Sequence, residues 1–100
     1  MEGKVYVDRI AGLLALGYTH PEAEQAAMKI ERMAPRLLEQ LDQWFRTGSL
    51  PEEEYEGFTV AELVDERGFT VPAAFLYLDW LMKEPEAAKL ALADMADGFL

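Results

Sequence analysis

The stretch Gly57-Phe58-Thr59-Val60-Ala61-Glu62-Leu63-Val64-Asp65-Glu66-Arg67-Gly68-Phe69-Thr70 decides the fold, because it opens and closes on the same Gly-aromatic-Thr tripeptide. A third copy, Gly17-Tyr18-Thr19, stands earlier in the chain. Each part of the tripeptide has its own task. Gly can take the left-handed conformation that ends a preceding helix, the aromatic can pack over the first turn of the next, and the Thr hydroxyl can accept from the N–H groups that turn leaves unbonded. Glu22 and Glu62 follow Thr19 and Thr59 by three positions, the spacing of a capping box. Phe58 and Leu63 hold the positions of a hydrophobic staple. This punctuation predicts a succession of short helices.

Outward from that stretch, the 3.6-residue period predicts six helices and no strand, an all-α bundle. The first covers residues 7–16, with Val7, Ile10, Leu13 and Leu14 inward and Gly17 ending it. The second runs from 19 to about 33 on a stripe of Ala23, Ala26, Ala27 and Ile30, small enough for close helix approach. The third spans 35–47, with Pro35 in its first turn, Leu37, Leu38, Leu41, Trp44 and Phe45 inward, and Gly48 closing it. Residues 49–57, with Pro51 and Glu52-Glu53-Glu54, read as an acidic linker between sub-halves 1–48 and 58–100 of one domain. Helices follow at 60–67, 71–83 and 85–97, the last stopped by Gly98. The helix at 71–83 has two apolar faces, Ala74, Phe75, Leu78, Leu81 and Met82 on one and Leu76, Tyr77 and Trp80 on the other. The second face is either covered by the N-terminal half or an exposed patch for self-association or a partner.

The chain of 100 residues is 51% hydrophobic and 11% aromatic, enough for a core without staples, and it has 0 Cys, so disulfides and thiolate metal sites are excluded. Asp8 and Arg9 interrupt any early apolar run, so no signal peptide is expected and a cytoplasmic location is the default. The longest weakly polar stretch, residues 10–18, is far short of the roughly 20 residues of a membrane span. A formal charge of −10, from 19 acidic against 9 basic residues, repels phosphate backbones and anionic lipid. It serves solubility or steers the chain toward a basic partner surface.

The segment from Leu13 through Leu16-Gly17-Tyr18-Thr19-His20-Pro21-Glu22-Ala23 to Ala26-Ala27 resembles the first two helices of ubiquitin-associated (UBA-like) three-helix domains. It is more similar still to the C-terminal domain of the RuvA Holliday-junction proteins, and Leu37-Leu38-Glu39-Gln40-Leu41 matches the third helix. The likeness covers residues 10–45. In those families the bundle binds another protein, which implies a docking role for Leu16, Gly17 and Tyr18. The parts that bind DNA in RuvA have no counterpart here, so the resemblance implies docking and not junction binding. Residues 59–83 resemble a helix-turn-helix, with a short helix, a Gly turn and a second helix. A DNA reader needs Arg, Lys, Asn or Gln at the front of that second helix, whereas this one presents Pro72, Ala73, Leu76, Tyr77 and Asp79. From Val60 onward the cations are Arg67, Lys83 and Lys89, against eight acids, so no direct DNA binding is expected.

Other candidates have plainer readings. Glu52, Glu54 and Glu56 before Gly57 imitate the opening of a calcium loop, but Leu63 stands where a bidentate Glu is required. His20, the single histidine, reads as an exposed turn residue with no companion for a metal. Asp79 reads as a solvent-facing residue paired with Lys83. No nucleophile, base and anion-stabilising group can be named together, so neither an enzyme nor a cofactor is expected. The sequence reads as an acidic interaction module that binds a protein partner through Leu16, Gly17 and Tyr18 and through Leu76, Tyr77 and Trp80. The alternatives are a regulator that acts on DNA with a basic partner, and a weak structural homodimer.

Overall fold

Thr19, Thr59 and Thr70 each stand in extended backbone ahead of a helix, and each hydroxyl accepts from the N–H three residues on: Glu22 at 3.4 Å, Glu62 at 3.1 Å and Ala73 at 3.3 Å. The capping box is complete at Thr19, where Glu22 Oε1 accepts from the Thr19 N–H at 2.9 Å. These caps set out α2 (His20–Glu31), α4 (Val60–Arg67) and α5 (Val71–Lys83). The others are α1 (Glu2–Ala15), α3 (Pro35–Thr47) and α6 (Pro85–Phe99), six helices among the described residues. The computed structural model describes residues 2–99, with side chains over 7–93. The fold is all-α. The chain divides into two compact units, Met1–Ser49 and Leu50–Leu100.

In the first unit α1 packs on α2 and α3. Leu13, Ala23, Ala27, Ile30, Leu37 and Leu41 are fully buried, and Met33 nearly so, so the alanine stripe of α2 does admit a close neighbour. The inward face of α1 is rotated from the one its apolar residues suggest. Val7 is 62% exposed and Leu14 lies at the surface, while Arg9, Gly12 and Leu13 face inward. Gly12 explains the rotation: a Cβ there would sit 2.7 Å from Phe45 Cε1, so only glycine lets that ring lie against the helix. Arg9 then reaches Asp42 on α3 through two parallel bonds, Nε to Oδ1 at 3.0 Å and Nη2 to Oδ2 at 2.9 Å. This fork is the strongest geometry an ion pair can take. Asp42 and Glu31 both hold the Arg9 guanidinium above its ordinary pKa, with the hydrogen bond to Asp42 as the largest cause.

In the second unit α5 packs on α4 and α6. Val60, Leu63, Pro72, Ala74, Phe75, Leu78, Leu81 and Ala88 are fully buried. The acidic stretch is not a plain spacer: Tyr55 is buried, and its N–H and C=O both pair with Phe58, at 2.7 and 3.0 Å. Glu56 (φ 52) and Gly57 (φ 87) form the two left-handed corners of the tight turn between them. The carboxylates of Glu52 and Glu53 kept residues 49–57 polar in pattern, and the one anchoring aromatic was masked by them.

Two helix ends also differ from expectation. α1 begins at Glu2, and α6 continues through Gly98 to Phe99. Once a helix is nucleated each further residue adds a hydrogen bond at low cost, and a terminal glycine then weakens the helix without ending it.

Candidate functional site

Backbone hydrogen bonds hold the α1–α2 loop in place. Gly17 (φ 103) donates to the Leu14 carbonyl at 3.0 Å and Tyr18 donates to the Leu13 carbonyl at 3.2 Å, the two bonds of a Schellman motif. Thr19 then starts α2 with its complete capping box. On this frame Leu16 is 48% exposed, Gly17 has nothing within 4 Å of where a Cβ would be, and Tyr18 is half-buried. Leu14, also exposed, joins the same chain segment. The three residues of the loop are therefore brought together as a rigid corner with an apolar tip. His20 beside it is exposed, with Nδ1 3.2 Å from Glu24 Oε1. The Thr19 N–H and hydroxyl, both bonded to Glu22, hold that carboxylate below its ordinary pKa.

The residues Leu76, Tyr77 and Trp80 do not form one exposed patch. Tyr77 is only 6% exposed, and its hydroxyl donates to the Ala88 carbonyl of α6 at 2.7 Å. Its ring meets Phe69 edge-on at 5.6 Å and Trp80 edge-on at 6.2 Å. Burial pushes the Tyr77 phenol above its ordinary pKa, and Arg67 opposes the shift. Leu76 is half-buried. Trp80 remains 37% exposed, and its Nε1–H donates to Glu84 Oε2 at 2.9 Å. The second apolar face of α5 is thus covered in part by α6 of its own unit, with Tyr77 inside, Leu76 half-buried and Trp80 at the surface.

Asp79 corrects a second expectation: it is buried, 8% exposed, and accepts from Lys83 Nζ at 2.8 Å. The helical spacing to Lys83 was legible, but the burial was not, because α5 has apolar residues on both sides of it. Met82, expected inside, is at the surface. Of the helix-turn-helix surface named above, Pro72, Tyr77 and Asp79 are buried, so little of it could meet a ligand.

A hollow of about 180 Å³ lies in the first unit, lined by Asp8, Arg9, Asp42, Phe45 and Arg46. Arg9 and Asp42 are paired with each other there. Among the described residues no group of three or more His, Asp or Glu side chains is placed to hold a metal, and no helix is long and apolar enough to cross a membrane. Sequence reasoning missed Glu84 as the partner of Trp80, although the i, i+4 spacing could have pointed to it.

Comparison with known protein families, with characterised proteins and with solved structures finds no match for this chain.

Proposed function

We propose that the protein is a non-catalytic interaction module that binds another protein through the α1–α2 loop, with Leu16 as the apolar anchor and Gly17 and Tyr18 beside it. One observation carries this reading: Leu16 is 48% exposed on a loop whose N–H groups, from Leu16 to Thr19, are all hydrogen-bonded. An exposed leucine on a mobile loop would lose rotamer and backbone freedom on binding, whereas one on a pre-formed corner loses little. The open space at Gly17 lets a partner backbone approach closely. The UBA-like resemblance points to the same residues, and the −10 charge favours a partner with a basic surface.

The test is capture from native extract by the parent and by Leu16→Asp, with helicity checked by circular dichroism. A polypeptide retained by the parent and lost on Leu16→Asp, with the fold intact, supports the reading. An unchanged retention profile overturns it.

A further inference from the structure

We propose a second docking site, the Trp80–Glu84 corner of the second unit, which takes a lysine or arginine side chain from a basic segment of a partner protein. The inference rests on the interaction-module reading but engages a different unit and a different chemistry. Trp80 is a large aromatic left partly in water, yet it is not loose. Its Nε1–H is held by Glu84 Oε2 at 2.9 Å, and the Glu84 N–H in turn donates to the Trp80 carbonyl at 2.7 Å. Tyr77 meets the indole edge-on at 87°, and Tyr77 is itself fixed by its bond to Ala88. With its single N–H already used, the indole has only its π surface left to offer. Beside Tyr77, Trp80 keeps 37% of its surface open to solvent. An exposed indole attracts cations through its π surface, and a carboxylate bonded through one oxygen keeps the second for the same cation.

Charge selects the occupant. The second unit holds 3 Lys and Arg against 12 Asp and Glu, a net of −9, and Lys83 is paired with Asp79. Such a field draws a basic segment in and turns away nucleic acid and anionic lipid. Arg67 and Lys89 are the remaining cations of that unit.

The probe is a fluorophore-labelled ten-residue peptide of alternating Lys and Ala, followed by anisotropy against the full chain, with the Glu-Ala counterpart as control. The Lys-Ala peptide should bind and the Glu-Ala peptide should not. Trp80→Ala should weaken binding about tenfold, as loss of an aromatic anchor does. Glu84→Gln, an exposed change that leaves the helices intact, should weaken it about fivefold, and Glu52→Gln, which removes the same charge elsewhere in the unit, less than about twofold. Equal effects of Glu84→Gln and Glu52→Gln would overturn the proposal, since binding would then follow net charge alone. So would an unchanged affinity in Trp80→Ala. Leu16→Asp should leave peptide binding as it is, so failure of the α1–α2 reading and failure of this one are separately visible.

Discussion

Three helices and the same cap chemistry build each unit, yet the two tie their interiors in opposite ways. The first unit carries 6 Lys and Arg against 7 Asp and Glu, nearly balanced, and draws a forked ion pair, Arg9 to Asp42, in between α1 and α3. The second carries 3 against 12 and ties α5 to α6 with a neutral bond, Tyr77 to Ala88, backed by a row of aromatic edges. The difference shows what a charge excess does to an interior. A guanidinium can be buried where a carboxylate meets it from another helix. In the acidic unit a buried carboxylate must find a cation within its own helix, as Asp79 does in Lys83, and the tertiary tie falls to groups without charge.

Breaking the fork should have the largest effect. Asp42→Ala leaves the Arg9 guanidinium buried without its partner and should lower the stability of the first unit by about 3 kcal/mol. Arg9→Met with Asp42→Leu should recover most of that loss, because the pair is replaced by apolar volume. Each unit has one tryptophan, Trp44 or Trp80, so Trp44→Phe and Trp80→Phe backgrounds report the two units separately by fluorescence in urea. A loss confined to the Trp44 signal sharpens the contrast; an equal loss at Trp80 breaks it.

Gly12→Ala comes next. Alanine is the better helix former by about 1 kcal/mol, but its methyl would press on Phe45 at 2.7 Å. Overpacking costs about 1–3 kcal/mol, so the net change in the first unit should be a loss of about 1 kcal/mol. A rise in its urea midpoint would mean that Phe45 swings away without cost.

In the second unit Tyr77→Phe should remove about 1 kcal/mol, the net worth of one buried hydrogen bond. It should also alter the response to alkali. The phenol is raised above its ordinary value of 10.0 by burial, so the folded state holds its proton more tightly than the unfolded chain. That contribution is whole below the unfolded value and is lost as pH rises from there through the folded one. The parent should weaken in this alkaline window, and Tyr77→Phe should weaken less.

The smallest effect belongs to Glu22, whose carboxylate is exposed and lowered by the Thr19 cap. Here the contribution is whole above the ordinary value of 4.5 and disappears as pH falls through the depressed folded value. Glu22→Gln should reduce the acid sensitivity of the first unit and leave the Trp80 signal unmoved.

Helices bracketed by chemical punctuation were legible residue by residue. Pro35–Thr47, Val60–Arg67 and Val71–Lys83 coincide with their predicted bounds, because Pro, Thr and Gly act locally on the backbone. The fork was not legible. Arg9 and Asp42 lie 33 positions apart, and only the packing of α1 on α3 brings them together. The exposed face of α1 escaped for the same reason: amphipathic pattern assumes that the largest apolar residues turn inward, and Gly12 with Phe45 decides otherwise. At the candidate site, the loop at Leu16, Gly17 and Tyr18 could be picked out from its tripeptide. That Tyr77 is core while Trp80 is surface depends on where α6 lies, which no local rule supplies.

The chief helix packings, α1 with α2 and α3, α4 with α5, and α5 with α6, all join elements close along the chain. That connectivity bears on birth as well as on stability. Loops closed over a few tens of residues cost little entropy, and helical bundles of this kind fold in about microseconds to milliseconds. A ribosome adds roughly 5–20 residues each second. The first unit, finished at Ser49, is therefore expected to have seconds in which to settle while residues 50–100 are still being synthesised. Its leucine-tipped loop would face the cell's proteins before the acidic half exists to repel any of them.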